Sequence, residues 1–142
     1  MTPRHAARES ALQILYFWEV SHAMPEEAIE AFFAEHGSEA TPEMRAFAAT
    51  LVRGTIGEVE PIDRLIEQHS KNWRLERLAI LDRLVLRMAV WELQHDPETS
   101  APIVINEAIE LARTFSGDES VPFVNGVLDA IRKALEQDVQ RG

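Results

Sequence analysis

A chain of 142 residues with 24 acidic against 14 basic side chains, a formal charge of -10, fits one domain with a real core and excludes a protein that coats nucleic acid by bulk electrostatics. The absence of cysteine excludes disulfides, thiolate metal sites and a catalytic thiol. The opening MTPRHAARES lacks the apolar stretch of a signal peptide, and no run is long enough to span a bilayer, so the expected location is the cytoplasm, with no membrane contact.

No segment alternates apolar and polar residues as a half-buried strand does, and apolar positions recur near every 3.6 residues, which predicts an all-α fold. Thr2 and Pro3 read as the start of a first helix whose apolar stripe is Ala7, Ala11, Ile14, Leu15 and Trp18, ending near Ser21. A second begins at Pro25 with Glu26 and Glu27 in its first turn, buries Ile29, Phe32 and Phe33, and stops at Gly37. Thr41, Pro42 and Glu43 repeat the start signal. From there a seam of Met44, Phe47, Leu51, Val52, Val59, Ile62 and Ile66 runs to about His69, with a kink expected at Pro61, whose ring meets the carbonyl of Gly57 and removes one hydrogen bond.

The next helix, from about Leu75 to His95, is apolar around most of its circumference and wet only along Glu76, Arg83, Arg87 and Gln94, which predicts a central place in its bundle. After the loop HDPETSAP, Pro102 opens a helix with Val104, Ala108, Leu111 and Phe115 inward. A last helix runs from about Val121 to Glu136, followed by a frayed tail over 137–142. Its stretch SVPFVNGVLDAI holds Asn-Gly, a strong hairpin signal, yet Val124, Val127, Leu128 and Ile131 keep helical spacing, so the helix is expected to win. Mid-helix glycine costs about 1 kcal/mol against alanine, and Gly54 and Gly126 are expected to mark close helix approach.

Catalytic patterns are poor: there is no phosphate-binding glycine loop, nucleophile elbow or two-histidine zinc helix. Glu19 with His22 and Glu92 with His95 have the Glu-x-x-His spacing of di-metal bundles, but both pairs sit at predicted helix ends rather than in a bundle core, so no metal, cofactor or catalytic residue is assigned. Positive charge is uneven, with Arg4, His5 and Arg8 at the start and Lys71, Arg74, Arg77, Arg83 and Arg87 clustered later. Asp82 lies on an otherwise apolar face with Leu78, Val85 and Ala89; it either pairs with a nearby arginine or offers an acidic contact to a basic partner. Gln13 and Tyr16 share a face of the first helix with His5 and Glu9. Phe123 stands about a hundred degrees off its helix's apolar stripe, as rim packing or as a stacking platform for an unpaired base.

The segments ARESALQILY, LVRGTI, NWRLERLAILDRLVLRMAVWEL, VINEAIELARTF and SVPFVNGVLDAI together resemble, in order and spacing, the NusB family of bacterial transcription antitermination factors. The resemblance implies a compact bundle of about six to seven helices in two three-helix sub-bundles, one over about 1–70 and one over about 71–136. It implies binding of the boxA segment of ribosomal RNA leaders together with NusE, a ribosomal small-subunit protein, and action with other Nus factors on the RNA polymerase elongation complex. Positions matching the family's RNA surface are Arg4, His5, Arg8, Gln13 and Phe123, and those matching its NusE contacts are Tyr16, Glu76 and Asp82. Neutralising about three phosphates of a single strand corresponds to a log-log salt slope near -2. The rival expectation is a helical protein-interaction or self-association module, a homodimer among its forms. A methyltransferase reading is disfavoured because the chain has no room for a cofactor-binding domain.

Overall fold

A computed structural model describes residues 3–70 and 78–141, with side chains through 139 in the last helix. Seven α-helices appear among the described residues: α1 (Pro3–Ser21), α2 (Pro25–His36), α3 (Pro42–Gly57), α4 (Val59–His69), α5 (Ile80–His95), α6 (Ala101–Phe115) and α7 (Val121–Arg141), with a 3-10 turn at Asp118–Ser120 ahead of α7. They fall into two units, Met1–Gly57 with α1 to α3 and Glu58–Gly142 with α4 to α7.

In the first unit α1 packs on α2 and α3, and α2 on α3. Of the expected stripe Ala7, Ala11, Ile14 and Leu15 are fully buried and Trp18 is half-buried, and Leu12, which was not in it, is fully buried as well. The alanines Ala7, Ala11, Ala48 and Ala49 keep side-chain volume low where α1 and α3 meet. Helix α1 ends where His22 takes a left-handed conformation, φ 59°, and donates its N–H to the Trp18 carbonyl at 3.0 Å. At the start of α3 the Thr41 hydroxyl accepts from the Met44 N–H at 3.2 Å, the cap expected of Thr-Pro-Glu. Gly37 follows α2 at φ -90°, so its glycine is required by space and not by handedness: a Cβ there would collide with the Phe33 carbonyl oxygen and stand 2.6 Å from the Arg45 guanidinium.

The seam drawn from Met44 to His69 is two helices. α3 stops at Gly57 and α4 starts at Val59, which puts Pro61 in the first turn of α4, where a missing N–H costs nothing. The interruption falls at the Gly57 carbonyl that the proline ring opposes, and α4 belongs with the second unit, so the division lies at Gly57/Glu58 and not near residue 70.

In the second unit α5 contacts α4, α6 and α7, and every residue from Leu84 to Val90 is buried, as its apolar circumference demands. Helical structure begins at Ile80 after the extended Ala79 and a bend at Leu78; the part of the expected helix over 75–77 lies outside the described residues. Arg87, expected to be wet, is 7% exposed because Asp63 of α4 takes its guanidinium in two bonds of 2.7 and 2.8 Å. The tail is also helical: α7 continues to Arg141, supported by Arg132 to Glu136 at 3.0 Å and Lys133 to Asp129 at 3.1 Å across single turns. Val124, Leu128 and Ile131 are fully buried, whereas Gly126 is exposed and a Cβ there meets nothing within 4 Å, so close helix approach does not explain it.

Candidate functional site

The singled-out side chains occupy both units. In the first unit the N-terminal turns of α1 carry the cations. Arg4 is exposed, with its guanidinium 4.7 Å from the centre of the Phe47 ring. Arg8, expected at the RNA surface, sits over the same ring at 5.3 Å and is only 3% exposed. Such cation–π contacts contribute about 0.5–1 kcal/mol at the exposed Arg4 and up to about 2 kcal/mol at the buried Arg8. Ala7, one residue before, is in the core, so a neutral residue there subtracts no charge from the surface. His5 Nε2 lies 3.8 Å from Glu9, and the exposed Gln13 amide donates to the Glu9 carbonyl at 3.2 Å, one turn back.

Tyr16 is 44% exposed, and beyond it Phe17, Val20 and Met24 are exposed as well, an apolar run that sequence reading reduced to its tyrosine. The missed signal was present, because Phe17 and Val20 lie outside the stripe of Ala7, Ala11, Ile14 and Leu15. Phe47 was missed as the ring beneath the arginines, since it was absorbed into the seam of α3.

In the second unit Phe123 is half-buried in the first turn of α7, neither in the core nor fully in water. Three residues earlier, the Ser120 hydroxyl donates to Asp82 Oδ2 at 3.0 Å, and Ser116 and Ser120 share a hydroxyl–hydroxyl bond of 3.0 Å. Because the Ser120 proton goes to the carboxylate, Ser116 is the donor in the second bond. Asp82 stands in the first turn of α5, where a carboxylate suits the helix dipole, and its partner is a serine rather than the arginine considered from sequence. Its other oxygen, Oδ1, is shut off from solvent and accepts no hydrogen bond. Gly117, φ 134°, makes the turn between α6 and Ser120 in a region that disfavours side chains. Thus an expected partner residue and the helix turn holding an expected RNA residue meet in one corner of this unit. Glu76, Lys71, Arg74 and Arg77 lie outside the described residues.

The two Glu-x-x-His pairs do different things. His95 Nε2 is 2.6 Å from Glu58 Oε2, which also accepts from the Trp91 indole at 3.1 Å, while Glu92 is buried at 1% exposure. Glu19 and His22 line a small cleft beside Trp18. Among the described residues no group of three or more His, Asp or Glu side chains could hold a metal.

Helix-end aromatics, cations and carboxylates on a helical frame define a small all-α protein whose polar chemistry sits on its helix faces. A family model described as the NusB family matches residues 5–133, and the chain belongs to that family of transcription antitermination proteins. The transcription antitermination protein NusB of Solibacter usitatus is 44% identical over 137 residues, covering 96% of this chain and 93% of the relative. Among solved structures, NusB of T. maritima is similar at TM-score 0.85 and 32% identity, covering 94% of this chain and 92% of that one. A chain in the crystal structure of antitermination factors NusB and NusE in complex with double-stranded RNA is similar at TM-score 0.83 and 30% identity, covering 94% and 98%. No described helix is long and apolar enough to cross a membrane.

Proposed function

We propose that the chain binds the boxA segment of ribosomal RNA leaders as single strand, together with NusE, and so helps RNA polymerase and other Nus factors read through terminators, as a non-enzymatic adaptor in the cytoplasm. The observation that supports this reading is the similarity, over nearly the whole chain, to a chain solved in a complex of NusB and NusE with double-stranded RNA; the single-strand part rests on the exposed side of Phe123. In the proposal Phe123 stacks on an unpaired base, Arg4 and His5 meet phosphate, and Gln13 contributes polar contacts. Arg8, buried over Phe47 of α3, fixes the N-terminal part of α1 rather than reaching phosphate itself. Tyr16, Glu76 and Asp82 are the proposed NusE contacts, and in the first unit Phe17, Val20 and Met24, on and just after the helix that carries Tyr16, are exposed as well.

With Arg8 withdrawn, about one or two phosphates are neutralised at the start of α1. At about 0.7 per phosphate on single strands, the log-log salt slope falls between about -0.7 and -1.4, roughly a 3- to 7-fold loss of affinity from 50 to 200 mM salt. This is a smaller slope than three cations give, and it makes NusE necessary for tight binding. Titration of boxA RNA by fluorescence anisotropy, with and without NusE, tests the reading. Phe123→Ala is expected to weaken binding roughly 5- to 150-fold, the range of one stacked base, and Arg4→Ala to flatten the slope by about 0.7. Equal binding by both variants and the unaltered chain overturns it, and solution mass measured alongside reports whether two copies pair.

A further inference from the structure

We propose that Asp82 is a positioning residue for Phe123, acting through Ser120, an inference that rests on the reading of Phe123 as an RNA contact. The carboxylate in the first turn of α5 holds the hydroxyl of the residue that immediately precedes α7, at 3.0 Å, and Ser116 at the end of α6 feeds the same hydroxyl at 3.0 Å. Three helices are therefore joined by a short relay at the point where the chain turns into the helix carrying the ring.

The backbone alone holds that point weakly. Gly117 has no side chain to restrict it, the 3-10 turn spans three residues, and its Ser120 N–H to Gly117 carbonyl bond is 3.1 Å long. The first N–H groups of any helix lack intrahelical partners, so an untethered first turn frays. Phe123 is in that turn. A stacking platform gains affinity only if its face is already oriented, because ordering it on binding subtracts from the interaction. The charge-assisted O–H to carboxylate bond adds to that order, and bonds of this kind are about twice as strong as neutral ones. An amide in place of the carboxylate keeps an acceptor for Ser120 but loses the charge and puts an NH2 group where Oδ1 is closed to solvent and has no partner, so it restores only part of the order.

The test is a cycle of RNA affinities for the full chain without NusE, at low salt, so that docking of a protein partner does not enter. Ser120→Ala and Asp82→Ala are each expected to weaken boxA RNA binding about 3- to 10-fold, Asp82→Asn to fall between Asp82→Ala and the unaltered chain, and Ser120→Ala to add no further loss in a Phe123→Ala background. A merely structural role lowers affinity equally in both backgrounds. The inference is overturned if Ser120→Ala leaves affinity unchanged, if its loss persists when Phe123 is absent, or if Asp82→Asn falls as far as Asp82→Ala. A Phe123→Ala chain that binds RNA as well as the unaltered one overturns the RNA reading itself, which separates the two failures.

Discussion

Replacing Asp63 by alanine strips Arg87 of both carboxylate bonds, at 2.7 and 2.8 Å, in a place where the arginine side chain is 9% exposed and the aspartate 21%. Breaking a fully buried ion pair from one side costs about 3–5 kcal/mol, because the remaining charge keeps its desolvation and loses its partner. The water that still reaches Asp63 and a further contact of Arg87 offset part of this, so about 2–4 kcal/mol is expected. With a urea dependence of about 2 kcal/mol per molar, the midpoint of unfolding followed by circular dichroism falls by about 1–2 M. The double variant Asp63→Leu with Arg87→Met removes both charges and keeps apolar volume between α4 and α5, and it is expected to recover most of the loss. A midpoint unchanged in Asp63→Ala refutes the account of the bridge, and so does a double variant no more stable than the single one.

Two glycines give opposite signs. Gly126→Ala, on an exposed helical position with open space around it, is expected to stabilise by about 0.5–1 kcal/mol, a rise of roughly 1–4 °C in melting temperature, whereas Gly37→Ala, which drives a methyl into the Phe33 carbonyl, is expected to lower it; calorimetry reads both. For pH, the Arg53 hydrogen bond holds the Glu26 carboxyl below its ordinary 4.5, and Arg132 and Lys133 hold Asp129 below its ordinary 3.8. Groups depressed in the folded state add stability above their unfolded values and lose it as pH falls through the lowered ones, so these contributions are complete at neutral pH and disappear in acid below about pH 4. Arg53→Gln is expected to return the Glu26 titration, followed by carboxyl carbon resonances, toward 4.5; an unmoved titration contradicts the assignment.

What could be read from the sequence was local. The stripe of α1, the Thr41 cap and the helical spacing around Asn125 and Gly126 all depend on residues within one or two turns, and periodicity outweighed the hairpin signal because four apolar residues agreed against one dipeptide. The break between α3 and α4 was displaced because a proline disturbs the carbonyl four residues before it while sitting comfortably in a first turn itself. Features requiring distant partners stayed hidden: Arg87 is buried by a carboxylate 24 positions away, and Asp82 is claimed by a serine 38 positions away. Ser120 carried a visible hint, since a serine just ahead of Val-Pro at a helix start is a capping signal, but nothing local says that its hydroxyl turns to another helix. The burial of Arg8 was equally hidden, since the aromatic ring beside its guanidinium stands on α3.

The central claim is physical contact between an unpaired base and the ring at the head of α7. Photocrosslinking of boxA RNA carrying a photoreactive pyrimidine to the complex of this chain with NusE, followed by peptide mass spectrometry, tests it directly. A crosslinked peptide with the modification on Phe123 is the predicted result. Efficient crosslinking confined to other residues, with Phe123 unmodified at every position of the pyrimidine along the strand, contradicts it.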